Sequence, residues 1–191
     1  MIKLVAALGN PGVKYAETRH NIGWVVVECL SFADELHWQQ KFNGHYAAAD
    51  IDGEKILFLK PDTYMNLSGQ SVGPAAQFFS IEVEEILVIH DDLELPFGVL
   101  GFKQGGGLGG HNGLRSVTAA LGSRDFNRLR LGISRPDHSD ITAHVLSHFS
   151  EDEAALLPLF LEEAARLLEQ SLTADFDTFA ARFRKEKIIQ T

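Results

Sequence analysis

The stretch IKLVAALGNPG, residues 2–12, decides how the chain is read. Seven mostly apolar residues suit a strand buried on both faces, and Gly-Asn-Pro-Gly stops it with residues that favour turns. A long loop follows, then an apolar run from Ile22 whose Trp24, Val27, Leu30 and Ala33 recur at helical spacing. Asn21 stands where an N-cap belongs, so the pattern predicts a helix over about 22–36. Strand, loop and helix make the first unit of an α/β chain.

Working outward, residues 45–51 and 55–60 flank Asp52-Gly53, a dipeptide that tolerates positive φ, and read as a β-hairpin. A helix over about 69–79 leads to ILVIHDD, 86–92, an apolar strand running directly into two carboxylates. A strand near 99–104, a glycine-rich loop, a helix near 113–121 and the strand RLRLGIS follow. Ser150 and Glu153 fit a capping box ahead of a helix that Pro158 is expected to kink or restart, and a last helix is expected near 176–187. The expected fold is α/β: one domain over 1–191, with a twisted mixed β-sheet flanked by helices, because the hairpin forces some antiparallel pairing.

Of the 191 residues, 45% are hydrophobic, enough for one core and a cleft. No apolar run is long enough to span a bilayer, and the reading is of a cytoplasmic protein with no membrane partner. The single Cys29 can form no internal disulfide and reads as packing. A net charge of −9 argues against a chain that coats nucleic acid through its overall field. Residues 103–135 nevertheless carry Lys103, Arg115, Arg124, Arg128, Arg130 and Arg135 against Asp125 alone, so an anionic partner is expected to dock there.

Polar residues gather in loops after strands, where open α/β sheets bind ligands, and this makes Asn10, His20, Asn66, Asp91 and Asn112 candidates for one site. Each also has a plain reading: His20 as a structural loop residue, Asn10 as a turn residue, Asn66 and Asn112 as helix caps, Asp91 as the acid that opens a loop. Gly105, Gly107 and Gly110 match a dinucleotide-binding pattern, but the acid expected at the end of the next strand is missing, and no Lys-Ser/Thr follows as in a P-loop. The loop is assigned to close approach of its backbone to a bulky ligand. Neither G-x-S-x-G nor H-E-x-x-H occurs. A metal held by His20, His90, Asp91, Asp92 and His111 is chemically conceivable, with no diagnostic spacing.

Taken in order, LGNPG, Tyr15, TRHNIG, TYMNLSG, HDDL, GGGLGGHNGLRS and RLRLGIS resemble bacterial peptidyl-tRNA hydrolase across nearly the whole chain. The resemblance implies a single-domain, usually monomeric enzyme that needs no cofactor or metal and cleaves the ester between a peptide and the tRNA 3′ end. It makes His20 the catalytic base, Asp91 the acid hydrogen-bonded to it, and Asn10 the residue that tells N-blocked from free aminoacyl groups. Tyr15, Tyr64, Asn66 and Asn112 match positions that contact the peptidyl-tRNA end, and Lys103 and Arg130 match residues for the tRNA 5′-phosphate. Leu108 stands where some members carry a polar residue. Two other readings predict differently: a non-catalytic nucleotide- or RNA-binding module using the glycine loop, and a metal-dependent hydrolase.

Overall fold

The computed structural model describes residues 1–137 and 140–189. Eight strands form one mixed sheet: β1 (Leu4–Ala7), β2 (Gln39–Lys41), β3 (Gly44–Ile51), β4 (Glu54–Pro61), β5 (Ile86–Asp92), β6 (Val99–Gln104), β7 (Asn127–Gly132) and β8 (Glu186–Lys187). Their spatial order is β2-β3-β4-β1-β5-β7-β6-β8. β4, β1, β5 and β7 run parallel, and the hairpins β2-β3-β4 and the pairs β7-β6-β8 are antiparallel. The Asp52-Gly53 turn has the positive φ values its sequence predicts, 52° and 83°.

Because successive strand residues face opposite ways, the sheet has two cores. Val5, Ala7, Leu87, Ile89, Leu129 and Leu131 pack against α1 (Ile22–Glu28), α5 (Glu151–Thr173) and α6 (Phe176–Arg182). Leu4, Ala6, Leu8, Ile86 and Val88 pack against α2 (Gly69–Phe78) and α3 (Asn112–Leu121). A short helix, α4 (Ile141–Val145), lies ahead of α5. Gly23 lets α1 reach the strand ends: a Cβ there would stand 2.9 Å from the carbonyl oxygen of Ile89 and 3.0 Å from that of Leu8.

Several expectations need correction. The first helix stops at Glu28 rather than near 36, since the Glu169 carboxylate takes the amide of Ser31 at 2.6 Å and its hydroxyl at 3.1 Å and turns the chain. Asn21 makes no side-chain cap to α1. Pro158 does not restart α5, which runs unbroken for 23 residues; the proline is exposed, where water can take the carbonyl left without a donor. The last helix ends at Arg182, and the following residues turn back onto the sheet as β8, with the amide of Phe102 donating to Phe183 at 2.9 Å. The short edge strand β2 has no counterpart among the sequence expectations; all three of its residues are exposed, so it lacks an apolar signature.

Candidate active site

β1 and β5 run side by side, and their carboxyl ends open together into a cavity of about 610 Å³. Asn10, Tyr15, His20, Tyr64, Asn66, Asp91, Lys103, Asn112 and Arg130 all line it, so the fold brings together all nine residues singled out from sequence. The glycine loop forms one side, with Leu108 among its lining residues. Ile141, Val145 and Leu146 of the α4 segment add an apolar wall. Lys103, Arg128 and Arg130, from the neighbouring strands β6 and β7, add a basic one.

At its base, one carboxylate oxygen serves two imidazoles. His20 Nδ1 lies 2.8 Å and His111 Nε2 2.9 Å from Asp91 Oδ1. The neighbours fix the tautomers. His111 Nδ1 accepts from the amides of Gly113 and Leu114 at 3.1 and 3.3 Å, so its Nε2–H donates to Asp91. This makes His111, not Asn112, the cap of α3. His20 likewise donates Nδ1–H to the ionised carboxylate, which leaves Nε2 with a free lone pair. Burial on its own would raise the pKa of Asp91, but the positive charge His20 and His111 carry once protonated, together with the hydrogen bonds they donate, outweighs it and holds the carboxyl well below the usual range.

The single-turn segment carrying His20, Arg19–Asn21, is fastened on both sides. Arg19 is buried, pairs with Glu153 in the first turn of α5, and donates to the Ser147 hydroxyl at 2.8 Å and to the His148 carbonyl. Asn21 reaches the other way, to the backbone of Asn10, accepting from its amide and donating to its carbonyl, both at 2.9 Å. Asn10 Oδ1 accepts from the amide of Met65 at 2.7 Å, so its remaining side-chain group is the NH₂ donor. Tyr15 and Tyr64 meet edge to face at 6.5 Å, with Tyr64 exposed.

On the basic wall, Arg130 Nε donates to Asp92 Oδ2 at 2.7 Å, while burial, then Arg130 and Arg128, lower the Lys103 pKa. Of the five residues considered for a metal, His20, Asp91 and His111 bring donor atoms within 4.8 Å of one another. His20 Nδ1 and His111 Nε2 are already hydrogen-bonded to Asp91 Oδ1, and a metal on His111 Nε2 would force the tautomer that breaks the α3 cap. The fit is therefore poor. Roles of Arg19, Asn21 and His111 escaped the sequence reading; the one available signal was polar density in TRHN and HNG.

The sequence profile of the family described as Peptidyl-tRNA hydrolase matches residues 4–191. The peptidyl-tRNA hydrolase of Geobacter sulfurreducens is 49% identical over 173 residues, 90% of each chain. That of Geotalea uraniireducens is 43% identical over 189 residues, 98% of this chain and 99% of the relative. The crystal structure of peptidyl-tRNA hydrolase from Acinetobacter baumannii superposes with a TM-score of 0.85 at 37% identity, covering 96% of this chain and 94% of that one.

Proposed function

Since the chain belongs to the peptidyl-tRNA hydrolase family and hydrolyses peptidyl-tRNA, we propose that its cavity cleaves the ester between peptide and tRNA with a water activated by His20. The observation that carries this is the 2.8 Å contact of His20 Nδ1 with Asp91 Oδ1: a carboxylate there can only accept, so Nδ1 carries the proton and Nε2 is the acceptor left for the cavity. Nε2 takes the proton as the water attacks the ester carbonyl, and Asp91 stabilises the imidazolium that forms. The proton then passes to the departing ribose 3′ oxygen.

Charge developing on the carbonyl oxygen needs donors already aimed. The NH₂ groups of Asn10 and Asn66 fill that role, and Asn10, fastened through Met65 and Asn21, is in position to read the blocked amine of the substrate. Tyr15 and Tyr64 offer aromatic faces to the terminal nucleotide, and Asn112 a polar contact to the same end. Lys103 and Arg130 take the 5′-phosphate, and the apolar α4 wall faces the peptide. A few phosphate contacts in one groove allow an acidic chain to hold tRNA. Among the described residues no helix is long and apolar enough to cross a membrane. The enzyme works in the cytoplasm, as a monomer with one complete set of site residues in one chain, and recycles tRNA from prematurely released peptidyl-tRNA.

Purified protein in EDTA is given N-acetyl-aminoacyl-tRNA and free aminoacyl-tRNA, alongside His20→Ala. Release of intact tRNA from the blocked substrate alone, lost in the variant, is expected. Turnover that survives the substitution removes His20 as the base, inhibition by EDTA points to a metal, and tRNA binding without turnover makes the site a binding module.

A further inference from the structure

Arg128 is a charged residue of the cavity that the reaction above leaves unused. It lies on β7 opposite Lys103 and is buried, with its guanidinium over the Phe126 ring at 5.0 Å. Its Nη1–H donates to the carbonyl of Gly107 at 2.8 Å and its Nη2–H to that of Gly106 at 3.1 Å. Burial, then the neighbouring charge of Arg130, lowers its pKa to about 10, so it remains a cation at neutral pH.

These hydrogen bonds fall on a segment with little structure of its own. Between Gly105 and Gly110 only Leu108 carries a side chain, and Gly105, Gly106, Gly109 and Gly110 have φ of 58°, 88°, 58° and 77°. Glycine backbone has many accessible states, so such a loop needs outside fastening to keep one shape. Backbone bonds tie it at entry, from the Gly105 amide to Phe126 at 3.1 Å, and at exit, from the His111 amide to Leu108 at 2.9 Å. Arg128 holds the part between. Gly106 also packs onto Lys103, whose Nζ would lie 2.6 Å from a Cβ placed there, so the loop position sets where that ammonium emerges.

We propose that Arg128 is a positioning residue, a clasp on the carbonyls of Gly106 and Gly107 that keeps the glycine loop in the one conformation that lines the peptidyl-tRNA cavity. Phosphate binding is left to Lys103 and Arg130, because Nη1 and Nη2 of Arg128 each donate to the loop and its Nε is buried away from solvent without a partner. Arginine is required rather than lysine: a planar fork reaches two successive carbonyls, whereas an ammonium reaches one point. The proposal rests on the cavity being the peptidyl-tRNA site.

The test uses Arg128→Lys and Arg128→Met with three readouts: amide exchange over residues 105–111 in the tRNA-free enzyme, kcat and KM on N-acetyl-aminoacyl-tRNA, and the salt dependence of tRNA binding. Both variants are expected to exchange faster in the loop and to lose kcat on the order of 10-fold or more, since small misplacements of a site are costly. The salt slope of Arg128→Met is expected to match that of the parent. Should Arg128→Met fail to fold, Arg128→Lys decides through exchange and kcat. Unchanged loop exchange overturns the proposal, and a salt slope lowered by about one with loop exchange unchanged would make Arg128 a phosphate ligand instead. Loop exchange is read without substrate, so a failure of the site assignment, seen as a parent enzyme indifferent to His20→Ala, is told apart from a failure of the clasp.

Discussion

Asn21 and Asn10 exchange a pair of hydrogen bonds, the side-chain amide of one closing on the backbone N–H and C=O of the other at 2.9 Å each. Both residues are buried, so removing the Asn21 amide strands two backbone groups away from water. Asn21→Ala is expected to destabilise the fold by about 2 kcal/mol or more and to lower kcat through displacement of Asn10. Asn21→Asp keeps the acceptor but sets a buried carboxylate oxygen against the Asn10 carbonyl, and should cost at least as much as Asn21→Ala. Urea unfolding beside single-turnover assays measures both, and a variant of full activity would free Asn10 from any dependence on its neighbour.

Asp91 Oδ1 accepts from His20 and His111 together, so its charge rather than its shape is the feature to remove. In Asp91→Asn the neutral amide can still accept at one oxygen but cannot stabilise an imidazolium. The variant should lose about 10²- to 10⁴-fold in kcat with an unchanged circular dichroism spectrum. A loss in KM alone would move Asp91 from chemistry to binding.

His90 donates Nδ1–H to the Asp91 carbonyl at 2.7 Å and is buried. Burial first, then repulsion from His111 once that imidazole is protonated, lowers its pKa to about 3. With the folded value depressed below the unfolded one of about 6.5, its contribution to stability is fully present above pH 6.5 and is lost as pH falls toward 3, by ~1.4 kcal/mol per pH unit. Between pH 7 and 5 the parent should therefore lose about 2 kcal/mol more than His90→Gln. Equal slopes in urea titrations at the two pH values would show that His90 is not held neutral.

Lys103 stands on the basic wall beside Arg130, whose charge is partly answered by Asp92 at 2.7 Å. Lys103→Ala should weaken tRNA binding and reduce the slope of log affinity against log salt by about one. Asp92→Asn, by unmasking Arg130, should tighten binding at low salt. Arg166→Ala provides the control, since Arg166 is an exposed residue of α5 paired with Glu163. Filter binding at several salt concentrations gives the slopes, and a Lys103→Ala slope equal to that control removes Lys103 from the phosphate site.

Residues with a strong local signature are readable from sequence: the apolar strands ending at Ala7 and Asp92, the Asp52-Gly53 turn, and the Ser150 capping box, whose two bonds are both made. What escapes the sequence reading depends on partners distant along the chain. Glu169 ends α1 by taking the amide of Ser31, 138 residues away, and no local pattern announces it. His111 is noticed from sequence only as one of five conceivable metal ligands; its service to both the α3 amides and Asp91 exists only once β5 and α3 meet. Asn21 sits where a cap belongs, yet its amide is drawn to a buried backbone that a solvent-facing helix end would not offer. Asn10, His20 and Asn66 stand out because they fall in loops after strands, and Asp91 because it breaks the apolar run of β5 near its end. The division of labour among the site residues is not legible, because it lies in which atom of each faces which neighbour.

The hairpin turn at Asp52-Gly53 closes β3 onto β4 ahead of Glu54, the first residue of β4, whereas the cavity opens beyond the carboxyl ends of β1 and β5. Because β4 runs parallel to β1, that turn lies at the opposite end of the sheet from the chemistry. A fluorophore, an affinity handle or a whole inserted domain can therefore be grafted there, and the tRNA would meet the tagged enzyme from the far side.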